Sequence, residues 1–337
     1  MTATDTRELE IPPPPKQRMS RGRKFVLGFL ILAVLGVGSA IGWILWTDSK
    51  IDRIPESDLE SLQPAIDGPR TFLVVGTDSR ENLPDGLGDH FGNFSGKRTD
   101  VMMLVQFLPG ERAQILSIPR DLKVQIPDEG TNRVNAALTF GGPDLLVRTI
   151  QQNLGVSINH YIEVDFGGFA AIVDALGGVT IDFRYPARDS KSGLDVDAGR
   201  QTLDGATALA FARSRHYQEL RDGSWTSVAA TDIGRTSRQQ QILLAMFDKA
   251  TSPSSAFNLP GFASTVAGNI TTDASLDLGV LVSIGRAGLD LRSSDLEART
   301  LPVAISNEGG VSYVVRVEPD AQATLDAFAA GLAFPPA

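Results

Sequence analysis

The chain contains no cysteine. Disulfide cross-links, thiolate metal sites and thiol nucleophiles are therefore excluded. Histidine is nearly as scarce: His90, His160 and His216 are the whole complement, too few for a histidine-rich zinc centre. Basic residues are in deficit, 31 against 40 acidic ones, giving a formal charge of −9 over 337 residues. A general nucleic-acid binder needs the opposite balance, because neutralising phosphates takes basic surface. No nucleic-acid partner is expected. Glycine and proline are plentiful but not periodic, so collagen is excluded. Hydrophobic residues at 42% and charged residues at 21% fit a folded protein rather than a disordered one or a coiled coil.

What is present begins with an uncharged apolar run of 22 residues, Phe25 to Trp46. At about 1.5 Å per residue this is long enough to cross a hydrocarbon core of about 30 Å. Trp43 and Trp46 mark one end, where aromatic rings favour the interface, and Arg18, Arg21, Arg23 and Lys24 flank the other. The positive-inside rule then puts the N-terminus in the cytoplasm. A cleaved signal peptide is the alternative, but the run exceeds an apolar region of roughly 7–15 residues. The expected organisation is a disordered cytoplasmic tail over 1–24, a single transmembrane helix over 25–46 and a juxtamembrane stalk over 47–70. An extracytoplasmic domain, 71–337, follows. Its length suffices for one core.

Within that domain, Thr71–Gly76, Val101–Phe107 and Ala113–Ile118 are uninterrupted apolar runs, the pattern of strands covered on both faces. His160–Phe166 and Val179–Phe183 also read as strands. Helices are predicted over Pro143–Leu154, Gly168–Leu176, Leu203–Phe211 and Arg235–Lys249. A further helix near 276–291, strands near 296–301 and 311–317, and a closing helix from about Asp320 follow. Alternating strands and helices predict an α/β sandwich.

Charge at the strand ends is the informative pattern, because ligand sites in open α/β sheets lie outside the carboxyl ends of strands. Asp78 and Arg80 leave the first strand, and Arg120 and Asp121 leave the third. Arg98 and Asp100 precede the second, so a shared cleft requires that strand to run antiparallel to its neighbours. Arg213 and Arg215 end one predicted helix, and Asp232, Arg235 and Arg238 open another. Arginine matches phosphate with a bidentate fork and keeps its charge when partly buried. Arginines beside two or three aspartates point to a phosphate ligand with a hard cation such as magnesium. Taken singly, each arginine also fits a solvated surface ion pair, Asp78 fits a turn and Asp232 fits a helix cap.

Seven ordered segments, VGTDSR (75–80), KRTDVMML (97–104), SIPRDLKVQIP (117–127), RVNAALTFGG (133–142), LGGVTID (176–182), LDGATALAFARSRH (203–216) and DIGRTSRQQQ (232–241), resemble the LytR-CpsA-Psr family. The resemblance covers residues 70–250. It implies an αβα sandwich around a mixed sheet, with an apolar pocket for a lipid tail. It also implies a phosphotransferase that moves a glycopolymer from a polyprenyl (pyro)phosphate carrier to peptidoglycan through a phosphodiester. By motif, Asp78 and Asp100 match its Mg2+-associated aspartates. Arg98, Arg120, Arg213, Arg215, Arg235 and Arg238 match its pyrophosphate-binding arginines, with Arg80 beside them. Asn135 and Gln241 match positions supporting the phosphate site, and Asp121 is the candidate for activating the acceptor hydroxyl. Two other readings stay open: a non-catalytic sensor of lipid-linked wall precursors and a polyprenyl pyrophosphatase.

The charge asymmetry around residues 25–46 generates a topological prediction. Protease added to intact spheroplasts should degrade residues 71–337, and full protection of that segment would contradict the orientation.

Overall fold

The computed structural model of the chain describes residues 42–64, 69–78, 99–109, 112–228, 232–252, 259–277, 280–281, 291–292 and 295–336. Two units are distinguished, Met1–Trp46 and Thr47–Ala337. Of the first, residues 42–46 are described and are helical. The predicted tail and residues 25–41 of the apolar run lie outside the described residues. No described helix is long and apolar enough to cross a membrane.

The second unit opens with strands β1 (Asp52–Ile54), β2 (Arg70–Thr77), β3 (Thr99–Leu108) and β4 (Arg112–Ser117). A hairpin of β5 (Lys123–Ile126) and β6 (Gly130–Arg133), helix α1 (Ala136–Leu154), β7 (His160–Asp165), α2 (Phe166–Ala175) and β8 (Val179–Phe183) come next. Then follow β9 (Ala187–Asp189), β10 (Leu194–Val196), β11 (Gly199–Leu203), α3 (Gly205–Arg213), β12 (Gln218–Arg221), β13 (Ser224–Ser227) and α4 (Asp232–Ala250). The chain continues through α5 (Leu259–Ala267), β14 (Thr271–Asp273), β15 (Leu296–Thr300), β16 (Val303–Glu308), β17 (Val311–Arg316) and α6 (Asp320–Ala329).

Seven strands form the central sheet in the order β1-β14-β7-β2-β3-β4-β15. The sheet is mixed: β2 is parallel to β7, β15 is parallel to β4, and β3 is antiparallel to both β2 and β4. The second apolar run therefore enters the sheet where the first and third leave it, as the charge pattern required. Apolar side chains on both faces demand cover, and helices supply it on both sides. Leu73, Val75, Leu104 and Leu116 share one buried cluster with Leu146 and Ile150 of α1 and with Leu325 and Phe328 of α6. Ile162 and Val164 of β7 pack with Ile172 of α2 and Phe262 of α5 in a second cluster. The result is the expected α/β sandwich.

Boundaries differ where local chemistry overrides periodicity. The predicted helix 143–154 is preceded by a helical segment from Ala136, and the two are separated by a break at Gly141 and Gly142. Gly142 takes a φ of 67°, a region that only glycine enters cheaply. Leu203, predicted helical, ends β11 instead, because Asp204 caps α3 by accepting from the Thr207 N–H at 2.8 Å. The sheet β10-β9-β12-β13, the hairpin β5–β6 and strand β16 had no place in the periodicity reading, since strands of three to six residues show too little alternation to be read, whereas β17 matches the strand expected near 311–317. The helix predicted near 276–291 lies largely outside the described residues. β14 and β15 join the central sheet, so residues after 250 complete the same fold.

Helices α2 and α3 approach so closely that Gly205 has no room for a side chain. A Cβ there would fall on the Ala170 carbonyl, 2.7 Å from its carbon. Gly205→Ala should therefore cost about 1–3 kcal/mol through overpacking, read as a fall of several degrees in Tm. An unchanged Tm would contradict the close approach.

Candidate functional site

The C-terminal ends of β2 and β4 and the start of β3 open into one chamber of about 450 Å³. Its lining combines two chemistries. Asp78, Asp100, Arg120, Arg213, Arg215 and Arg235 bring charge to it. Val164, Phe169, Ile172, Leu209, Leu243 and Met246 are among its apolar residues. Phe169 and Ile172 come from α2 and Leu209 from α3, whose close packing at Gly205 presents these side chains together.

The charged part of the lining is organised around one carboxylate. Asp100 Oδ1 lies 2.5 Å from Arg120 Nη1, 3.6 Å from Arg215 Nη2 and 3.9 Å from Arg235 Nη1. Three guanidinium groups from three separate segments thus converge on one oxygen atom. Arg235 is 4% exposed, and such burial of a charge is costly unless opposite charge is close by. Arg213 reaches the same chamber with its guanidinium carbon 4.9 Å from the centre of the Phe166 ring.

Helix α4 shows why its residues divide. Arg235, Gln239, Ile242 and Met246 recur at three- and four-residue spacing and all line the chamber, as one helix face should. Gln240 fixes the helix against the sheet by donating to Ser117 Oγ at 2.9 Å and Thr300 Oγ1 at 3.1 Å. Gln241 falls on the opposite side and is exposed, so the expected phosphate-supporting glutamine is not at the chamber. Gln239 is there instead, a residue that counting four positions on from Arg235 would have found. Arg238 also differs from expectation. It is buried but does not reach the chamber lining; it donates to the Ser214 carbonyl at 2.5 Å and sits 4.9 Å over the Tyr217 ring. Burial pulls its guanidinium below the ordinary arginine value, against the opposing pull of Tyr217 and Asp189.

Asn135 precedes α1 and makes no side-chain cap. Its backbone N–H donates to the Arg120 carbonyl at 3.2 Å, so it braces the Arg120 turn without lining the chamber. Asp121 lies beyond Arg120, with Oδ2 3.5 Å from Arg120 Nε and Oδ1 3.6 Å from Arg133 Nε. It borders a second, small crevice of about 20 Å³ that shares Asp100, Arg120, Arg235 and Gln239 with the chamber. Arg80 and Arg98 lie outside the described residues.

Asp78 and Asp100 fit a magnesium ion by donor chemistry. Mg2+ takes one or two carboxylates and completes its shell with water and substrate phosphate oxygens. Among the described residues no cluster of three or more His, Cys, Asp or Glu side chains offers a protein-only cage. Two carboxylates beside arginines are the kind of donor set that a site shared with a phosphate ligand would use.

Asp189 ends the three-residue strand β9, too short to show in the apolar pattern, and was not among the expected site residues. It lines the chamber yet is only 1% exposed. Burial alone would raise its carboxyl, but hydrogen bonds from Ser214 Oγ and from the N–H groups of His216, Lys191 and Arg215 outweigh this and hold it below the usual carboxylate range.

The match to the LytR_cpsA_psr family extends over residues 47–329, and the chain belongs to that family. It is 36% identical over 236 residues to the probable cell wall biosynthesis protein LcpB of Corynebacterium glutamicum, covering 68% of this chain and 53% of the relative. It is 32% identical over 262 residues to the polyisoprenyl-teichoic acid–peptidoglycan teichoic acid transferase TagU of Oceanobacillus iheyensis, covering 75% and 73%. The match thus spans about half the length of LcpB and about three quarters of TagU. Among solved structures, the LytR-Csp2A-Psr enzyme from Actinomyces oris superposes with a TM-score of 0.65 at 28% identity, covering 83% of this chain and 96% of that one.

The depressed carboxyl of Asp189 has a signed consequence. Its folded value lies below the unfolded one, so its stabilising contribution is complete above about pH 3.9 and is lost as pH falls through the lower, folded value. Asp189→Asn should lower stability at pH 7 by about 1.5–3 kcal/mol, the worth of hydrogen bonds to a charged group. Thermal melts of the two proteins should converge below about pH 4. A gap that persists unchanged into acid would show that the charge is not what stabilises.

Proposed function

We propose that the protein is a phosphotransferase that takes a glycopolymer from a polyprenyl (pyro)phosphate carrier and attaches it to peptidoglycan through a phosphodiester. One observation carries this reading: a single chamber is lined both by arginines and aspartates and by apolar side chains. A prenyl diphosphate combines the matching two chemistries, an anionic head and a hydrocarbon tail. The names of TagU and LcpB, which describe transfer to peptidoglycan and cell wall biosynthesis, support the same class of reaction. The apolar run 25–46 would anchor the chain in the cell membrane as a single span, N-terminus inside, and keep the extracytoplasmic domain near its lipid substrate.

In this mechanism Arg120, Arg213, Arg215 and Arg235 bind the diphosphate, with Arg80 and Arg98 expected to add to them. The prenyl chain lies along Phe169, Ile172, Leu209 and Met246, which also exclude water. A peptidoglycan hydroxyl attacks the phosphorus that carries the sugar. The new oxygen–phosphorus bond forms as the bond to the lipid phosphate breaks, and the polyprenyl phosphate departs. Asp121, which borders the crevice beside Arg120, is the carboxylate we assign to accept the hydroxyl proton. Phosphoryl transfer requires the attacking hydroxyl and the leaving lipid phosphate to lie in line through the phosphorus. A magnesium ion held by Asp78 and Asp100 would supply further neutralisation of the phosphate oxygens. Preorganised guanidinium groups lower the barrier because they need no reorientation as charge moves to the leaving phosphate.

The sensor and pyrophosphatase readings differ in outcome. A sensor binds the lipid and transfers nothing, and a pyrophosphatase passes the phosphoryl group to water. The test is a reconstituted assay with a lipid-pyrophosphate-linked oligosaccharide and peptidoglycan fragments. It scores polyprenyl phosphate release together with phosphodiester-linked product. Wild-type protein should form the linked product, and Arg120→Lys should lower turnover by about tenfold or more, because lysine keeps the charge but loses the fork. Asp100→Ala should abolish transfer. Lipid binding without linked product, given competent donor and acceptor, would replace the transferase with the sensor.

A further inference from the structure

We propose that Asp189 and Arg238 are positioning residues that clamp the turn Ser214–His216 and so aim Arg215 at the ligand's phosphates. The inference rests on the chamber being a phosphate site, and it assigns Arg238 a task other than direct phosphate binding.

The turn follows α3 and belongs to no regular element, so its course depends on where its backbone polar groups find partners. Asp189 Oδ2 accepts from Ser214 Oγ at 2.7 Å, from the Arg215 N–H at 2.9 Å and from the His216 N–H at 2.8 Å. Its other oxygen, Oδ1, accepts from the Lys191 N–H at 2.9 Å, which fixes the carboxylate's orientation at the end of β9. Arg238 donates to the Ser214 carbonyl. Donors of the turn thus meet a buried acid, and its carbonyl meets a buried base. Ser214 itself is fully buried.

The consequence is directional. Arg215 follows Ser214 directly, so the conformation of that one residue sets the direction from which its side chain leaves, whereas Arg213 is carried by the last residue of α3. Arg215 reaches Asp100 at 3.6 Å and Arg213 stacks against Phe166, both on the chamber side. Asp189 and Arg238 are 1% and 4% exposed. Each charge is held in a low-dielectric setting where satisfied networks are stiff. Long arginine side chains lose rotamer freedom when they bind, and a rigid turn removes part of that loss before the ligand arrives.

A direct role for Arg238 at the phosphate, or a merely structural role for Asp189, makes a different forecast from the clamp. If both act through Arg215, their removal should matter little once Arg215 is gone. The experiment is a set of double-mutant cycles on the full-length protein, with geranylgeranyl diphosphate as the probe, calorimetric affinity as the readout and melting curves confirming folding. Asp189→Asn, Arg238→Met and Arg215→Ala should each weaken binding by about tenfold. The pairs Asp189→Asn/Arg215→Ala and Arg238→Met/Arg215→Ala should bind about as weakly as Arg215→Ala alone, the signature of coupled sites. Ser214→Ala keeps both buried charges and removes a single donor; its loss of about twofold to fivefold should likewise vanish in the Arg215→Ala background, which keeps the test decisive if Asp189→Asn fails to fold. Multiplicative losses in both cycles would overturn the clamp. So would normal binding by Asp189→Asn or Ser214→Ala while Arg215→Ala is impaired, an outcome that leaves the phosphate site standing. Undiminished binding by Arg215→Ala would instead remove the phosphate reading, and the clamp with it.

Discussion

The convergence of Arg120, Arg215 and Arg235 on one oxygen of Asp100 is the interaction on which the rest of the site depends. Guanidinium groups repel one another, and bringing several together in a partly buried place is unfavourable without a counter-charge. Asp100 supplies it from the first residues of β3. Its position follows from the sheet: β3 runs antiparallel to β2 and β4, so its beginning faces the ends of its neighbours. Had β3 been parallel, Asp100 would sit at the far edge of the sheet, a strand length away from Arg120. The electrostatics of the site are therefore a consequence of sheet topology.

Around that centre the fold divides its labour. The sheet places the carboxylates and Arg120, while α3 and α4 bring the remaining described arginines over its open end. The same helices, with α2, give the chamber its apolar walls. Gly205 lets α2 and α3 pack close enough for Phe169, Ile172 and Leu209 to face one space. The hairpin β16–β17 braces the other side: the Val314 N–H donates to the Asp121 carbonyl, and Arg133 donates to the Ser312 carbonyl. The C-terminal residues thus act on the site through the turn that carries Arg120.

Much of this was legible in the residues. Long apolar runs predicted β2, β3 and β4 because doubly covered strands need no alternation. Charge placed directly beside those runs marked Asp78, Asp100 and Arg120, since charged groups next to buried strands emerge at strand ends. Helical arithmetic should also have chosen Gln239 over Gln241. Periodicity could not reveal the short strands β9 to β13, nor the long-range partner that decides whether a buried arginine touches ligand or backbone. Arg235 and Arg238 are both buried and belong to one motif. Only the position of Ser214 and Tyr217 shows that the second turns away.

The sequence by itself determined the chemical inventory: no thiols, few imidazoles, an excess of acid overall and arginines gathered in a few motifs. It also determined the apolar periodicities from which an α/β sandwich follows. Tertiary structure alone decided which charges meet. Arg120, Arg215 and Arg235 are far apart in the chain, and their common contact with Asp100 arises from strand direction and helix packing. Asp189 makes the same point from the other direction. Nothing in its local sequence distinguishes it from other aspartates, and its importance comes from a turn some 25 residues away that folds back onto it. Local sequence specifies what a side chain can do, whereas the partners that fix its charge and direction are supplied by contacts between distant segments.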